Sequence, residues 1–272
     1  MKLFLKSLAI FALVFAFLGC DSKESKQTSE AMPTQKKVKV STTEISQAIL
    51  EPALPLLKEQ GFDVELVIVS GNVNVIRATN DGSTDAASGV HIKFMENFNK
   101  QNGGDLVMIK PYPYTTGIGL YSDKYKTIEE LPVGAKISIM SDAMNMHRGL
   151  MILKNAGLIE LDESKKDGYT LLDITKNPKN LQIIDMDQAG TVRSLQDVDA
   201  AIVFFTHMRN ANRDFRAYIV RDDDAKEFPM GIVVKAKNEN EAFAKALADA
   251  LRSQPVRDNI AKKFDGVFEY LD

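Results

Sequence analysis

Residues 136–157, KISIMSDAMNMHRGLMILKNAG, decide the fold class of this chain. Lys136 to Ser141 reads as a short apolar strand. Asp142 stands where a helix N-cap belongs, and the helix it would open runs from about Asn145 to Ala156 and is closed by Gly157. A strand passing straight into a helix is the repeating unit of an α/β protein.

The same alternation extends both ways. Upstream, residues 38–40 read as a strand and are followed by a helical segment ending at Gly61, kinked or late-starting because of Pro52 and Pro55. Residues 63–69 form a second strand, 82–88 lead into a third, 91–101 read as a helix stopped by Asn102-Gly103-Gly104, and 106–110 are a strand again. Pro111-Tyr112-Pro113-Tyr114 interrupts the series, and residues 117–122 then run extended, which suggests a crossing between two lobes. Beyond it come a short helix at 127–131, a turn at 132–134 and the opening strand and helix. Strands at 181–184, 200–203 and 217–220 follow. Asp222-Asp223-Asp224 reads as a solvated loop, 230–234 as a strand rejoining the first lobe, and 239–251 and 255–264 as closing amphipathic helices. The expected fold is α/β with two lobes, each a mainly parallel sheet flanked by helices, and a cleft between them.

Composition narrows the function. The chain has 272 residues and a formal charge of −3, with Lys and Arg scattered, so it lacks the clustered basic excess of a nucleic-acid binder. Its one cysteine, Cys20, follows a cationic start (Lys2, Lys6) and an apolar run at residues 8–18, the parts of a secretory signal and too short to span a bilayer. Phe17-Leu18-Gly19-Cys20 resembles a bacterial lipobox, although an aliphatic residue is usual where Phe17 stands. The resemblance implies cleavage before Cys20 and lipidation of its thiol, hence a membrane anchor facing the periplasm or exterior. An ordinary signal peptide with an incidental cysteine is the alternative. Residues 21–36 are polar and aperiodic and read as a disordered tether. The organisation expected is therefore signal peptide at 1–19, lipidated cysteine and tether at 20–36, lobe 1 at 37–116, lobe 2 at 117–225, and a return segment to lobe 1 at 226–272.

Residues 121–159 contain, in order, a Tyr-Ser, an acidic short helix, a Gly-Ala turn, an Asp142–Arg148 loop and an Ala-Gly-Leu-Ile helix end. With 177–184, 193–203 and, more weakly, 67–96, this stretch resembles the NlpA/MetQ family of methionine-binding lipoproteins, the substrate-binding components of ABC importers. The resemblance implies a two-lobed periplasmic binding protein of type II-like form, a small-molecule ligand in the cleft, an ABC permease with its ATPase as partner, and no cofactor. It also implies that Arg148 and Asn145 hold an amino acid's carboxylate. Independently, Arg148 offers a planar fork and both residues were expected in the first turn of a helix, whose free amides favour an anion.

The side-chain pocket departs from the family. Where the family has a Tyr, a Phe, a His and a second Tyr, this chain has Asn72, Gly89, His91 and Phe94, and a family Asn falls at Phe204, which can neither donate nor accept a hydrogen bond. The subsite is expected to be wider and more polar, so the ligand is an amino acid or related carboxylate rather than methionine by necessity. A metal site built from His91, His147 and His207 with Asp142 is a weaker reading, since the three lack ligand-pair spacing. No HExxH, CxxC, GxSxG or phosphate loop is present, and the Asp185 and Asp187 pair reads as a solvated strand end, so no enzyme is expected. The rival to a transport receptor is a surface lipoprotein that keeps the fold and acts through protein interactions.

Overall fold

The computed structural model describes residues 35–166 and 168–271; the signal segment, Cys20 and nearly all of the expected tether lie outside them. The chain opens with β1 (Lys36–Thr42), α1 (Glu44–Leu50), α2 (Leu54–Glu59), β2 (Phe62–Ile68), α3 (Asn72–Asp81), β3 (Ala86–His91), α4 (Ile92–Asn102), β4 (Leu106–Met108) and β5 (Tyr114–Thr116). Lys36, given to the tether from sequence, is thus already in a strand. Pro52 and Pro55 divide the first helical segment: a 3₁₀ turn at Glu51–Ala53 separates α1 from α2, and each proline sits at the start of its piece, where a missing N–H costs nothing.

A second series follows. It comprises β6 (Ile118–Tyr121), β7 (Lys136–Met140), α5 (Ala143–Asn155), β8 (Glu160–Leu161), β9 (Ile174–Lys176), β10 (Gln182–Met186), α6 (Gln188–Arg193), β11 (Ala200–Phe204), α7 (Phe205–Asn210) and β12 (Val220–Arg221). The expected helix at 127–131 does not form. Lys179 Nζ instead takes the carbonyls of Ile128, Glu129 and Leu131, and the Glu130 carboxylate takes the Lys126 N–H, so the groups that would build a helical ladder are bound elsewhere. The chain then returns through β13 (Met230–Lys235), α8 (Ala242–Arg252), α9 (Gln254–Lys263) and β14 (Phe268–Tyr270).

Two sheets result. The first has the order β14-β5-β13-β3-β1-β2 with β4 also on β13, and the second β10-β7-β11-β6-β12. Both are mixed rather than mainly parallel. β1 runs parallel to β2 and β3, and β7 to β10 and β11. The strands at the crossings and returns, β5, β6, β12, β13 and β14, pair antiparallel, and of these β6 and β13 arrive from the other lobe.

The chain passes from the first sheet to the second between Thr116 and Ile118, and comes back after β12. These two crossings frame the cleft. One core cluster holds Val40, Leu50, Val234 and Leu247 of the first lobe and runs on to Tyr121, Ala201 and Val203 of the second sheet, while Ile137, Ile139, Leu150, Leu153 and Ile202 form a core within the second. Burying each such aliphatic side chain is worth about 1.5–3 kcal/mol. α5 packs on its sheet at Gly149, where a Cβ would sit in ordinary contact with Ile202 at 3.5 Å. α5 ends as its sequence predicts: Gly157 takes φ +72°, and the N–H groups of Gly157 and Leu158 donate to the carbonyls of Lys154 and Leu153.

Candidate functional site

A cavity of about 660 Å³ lies between the two sheets, within the ~300–1,000 Å³ of small-molecule sites. Asn72, Gly89, His91, Phe94, Arg148, Phe204 and His207 all line it. His147 does not: its ring stacks on Tyr169 at 5.3 Å, away from the cavity. Among the described residues no three His, Cys, Asp or Glu side chains gather as a metal site. Asp185 is exposed and Asp187 caps α6 through the Gly190 N–H, which leaves them apart in role.

Asn145 is fully buried beneath the cavity and is not part of its lining. His91 caps α4, its Nδ1 accepting the Phe94 N–H at 3.0 Å, so the ring proton sits on Nε2 and is donated to Asn145 Oδ1 at 3.2 Å. The Asn145 amide then donates to both oxygens of Asp142, at 2.9 and 3.0 Å. A second relay reaches the same carboxylate: Asn72 Nδ2 donates to Gln188 Oε1 at 3.4 Å, and Gln188 Nε2 to Asp142 Oδ2 at 3.1 Å. Every donor points toward Asp142. Because His91 and Asn72 come from the first lobe and Asn145 and Gln188 from the second, the two relays tie the lobes together. Asp142 is the N-cap expected of it, accepting the Asn145 N–H at 3.1 Å, and the hub as well. In this arrangement both ends of the Asn145 amide are engaged within the protein.

Arg148 sits in the second turn of α5, not the first, and in the first turn the Asn145 N–H is taken by Asp142. Only 2% of it is exposed. Its Nη2 donates to Asp222 Oδ2 at 2.5 Å and to the Thr116 carbonyl at 3.5 Å. The guanidinium lies 4.1 Å from the Phe228 ring centre and 5.5 Å from that of Phe204, a cation–π arrangement. Its Nε is buried with no partner among the described residues. Asp222 is 5% exposed, so the expected solvated Asp-Asp-Asp loop holds only for the exposed Asp223. Burial raises the Asp222 pKa and lowers that of Arg148, and each charge is the first to offset the other's burial.

Burial pushes His91 down to about 3, with the Arg148 charge adding to the effect and the Asn145 hydrogen bond opposing it. His207 falls to about 4 for the same first reason. Gly89 does not widen the pocket as expected. It takes φ +101°, and a Cβ there would meet Ser46 Oγ at 2.1 Å, so α1 occupies the room a side chain would need. Asp222, Gln188, Thr116 and Phe228 were missed by sequence reasoning. Asp222 and Arg148 lie 74 residues apart, and no spacing rule links them.

The sequence and the fold have relatives among known proteins. The profile of the NlpA lipoprotein family matches residues 38–269. The methionine-binding lipoprotein MetQ of Bacillus subtilis (strain 168) is 30% identical over 272 residues, covering 96% of this chain and 97% of that protein. Among solved structures, lipoprotein Tp32 of Treponema pallidum superposes with a TM-score of 0.82 at 26% identity, covering 87% of this chain and 100% of that one. The substrate-binding protein of a methionine transporter from Streptococcus pneumoniae superposes at 0.79 with 31% identity, covering 87% and 96%. The match spans both sheets and the cleft between them, and the fold is that of substrate-binding receptors and not of an enzyme. The chain belongs to the NlpA lipoprotein family.

Proposed function

We propose that this chain is the envelope-anchored receptor of an ABC importer, and that it captures a small amino acid or related carboxylate in the cleft between a lobe at 37–116 with 226–272 and a lobe at 117–225. The observation that carries this reading is Arg148: a buried cation in the cavity wall whose Nε lacks an acceptor. A buried donor left unpaired costs about 1–3 kcal/mol, which a ligand oxygen would recover. The methionine named for the relatives is one candidate. The Asn72–Gln188 pair and Phe204 give this cavity a different lining from the aromatic cage of the family, so methionine is expected to bind weakly here. The ion pair of Arg148 with Asp222 favours a second reading, an interaction lipoprotein that has kept the fold.

A thermal-shift screen of the twenty L-amino acids, short peptides and zinc separates these readings. A ligand at one hundred times its Kd adds about 2.7 kcal/mol to stability, a readily seen shift. Stabilisation by an amino acid other than methionine is the expected result. No shift with any compound would favour the interaction protein. Zinc acting alone, and losing its effect in His91→Ala, would favour a metal receptor.

The anchor is proposed at Cys20. No helix among the described residues is long and apolar enough to cross a membrane, so attachment would rest on the lipid. Cys20→Ser should take up no label from a radioactive fatty acid in cells, and label on that variant would remove the anchor claim.

A further inference from the structure

Among the described residues the charged side chains that line the cavity are Glu44, Asp142, Asp187 and Arg148. The one cation among them is already matched. Asp222, which does not line the cavity, holds Arg148 at 2.5 Å from the segment just after β12, by which the chain returns to the first lobe. The geometry points to Asp222 as the residue that sets the charge selectivity of the cavity: by neutralising Arg148 from outside the lining, it leaves a site that accepts neutral zwitterionic or cationic solutes and rejects net anions. This rests on the reading of the cavity as a solute site.

The placement of Asp222 makes it a fixed counter-ion and not a mobile surface acid. Its Oδ1 accepts the Ile118 N–H at 3.2 Å, on the second-lobe side of the crossing, while Arg148 donates to the Thr116 carbonyl on the first-lobe side. Arg221 reaches the same Oδ1 at 3.5 Å and packs its guanidinium over the Phe205 ring at 4.9 Å. The crossing between these contacts is itself closely packed, since a Cβ on Gly117 would lie 2.7 Å from Phe205. Asp222 is therefore bound by both crossings and cannot swing aside without breaking them.

A solute bearing only carboxylates would place a second anion against one buried cation that Asp222 already satisfies. Two carboxylates sharing such a site cannot both stay ionised at low cost. A zwitterion brings its own ammonium, so its carboxylate can approach Arg148 Nε without leaving a net buried negative charge. A cationic side chain gains in addition from Glu44 and Asp187 in the lining.

Thermal-shift titration of the full chain with succinate, and with the twenty L-amino acids alongside, tests the assignment. Wild type is expected to ignore succinate. Asp222→Asn, which removes the counter-charge while keeping the shape, is expected to bind succinate at least about tenfold more tightly than wild type, and Asp222→Glu to behave as wild type. Stabilisation of wild type by succinate overturns the inference, and so does indifference of a folded Asp222→Asn, its folding checked by circular dichroism. If that variant does not fold, Asp222→Ser takes its place and the wild-type arm still decides. Failure of every amino acid to shift the wild type removes the receptor reading alone, because the gain of succinate binding by the variant is read independently.

Discussion

Arg148→Met should lower the unfolding free energy by about 3–5 kcal/mol and abolish solute capture, whereas Arg148→Met combined with Asp222→Leu should recover most of the stability and none of the binding. The asymmetry follows from what each change leaves behind. Arg148 is 2% and Asp222 5% exposed, so removing the guanidinium takes from a buried carboxylate the partner at 2.5 Å and leaves it the Ile118 N–H and the longer contact to Arg221. Burial already raises the pKa of Asp222 with Arg148 in place, and without Arg148 only the Ile118 N–H and Arg221 oppose that rise. Replacing both by apolar side chains removes the desolvation cost on both sides and keeps the packing against Phe228 and Phe204. For a domain of this size the single change corresponds to a fall in Tm of about ten degrees. Calorimetry on the three proteins measures it. A single variant as stable as wild type would mean that the ion pair carries no structural weight, and a double variant as poor as the single would mean that the loss comes from shape and not from the stranded charge.

The parts of the fold that were legible in the sequence are those that local chemistry specifies. β7 and α5 were read to within three residues because the apolar run, the Asp142 cap and the Gly157 stop all lie within one short segment. α3 was missed for the opposite reason. NVNVIRATND is rich in β-branched residues and Asn, which favour helix weakly, and only the buried set Val75, Ile76 and Thr79 gives it a face. The helix expected at 127–131 had good local propensity and lost to Lys179, roughly fifty residues away in the chain. The candidate site divides in the same way. The resemblance brought Asn72, His91, Phe94, Arg148 and Phe204 to one cavity, but what occupies their polar groups is set by tertiary partners. A run of three aspartates reads as solvent-facing loop, and nothing in its composition distinguishes the one that is buried against Arg148. Gln188 likewise carries no signal of its own, and it matters only because it stands between Asn72 and Asp142.

Acid should open this molecule well before its carboxylates titrate. His91 has a folded pKa of about 3 against an ordinary value of 6.5, so between those values the unfolded chain binds a proton that the folded one refuses. Stability therefore is complete above pH 6.5 and falls as the pH drops through that window. At pH 5 the loss from His91 alone is about 2 kcal/mol, and His207, with a folded pKa of about 4, adds to it in the same direction. The geometry says why the folded state refuses the proton. His91 Nδ1 already accepts the Phe94 N–H that starts α4, and protonating it would set two donors face to face while adding a positive charge close to Arg148. The bond to Asn145, which crosses from one lobe to the other, favours the protonated ring, so the acid loss is expected to fall on the α4 cap and not on that contact. Urea unfolding at pH 7, 6 and 5 should show the decline in wild type, and a shallower one in His91→Asn, which is less stable at neutral pH but has no ring to protonate. A wild-type curve that stays flat from pH 7 to pH 5 would show that His91 is not held neutral. An equally steep decline in the variant would assign the acid sensitivity to His207 and separate it from the α4 cap.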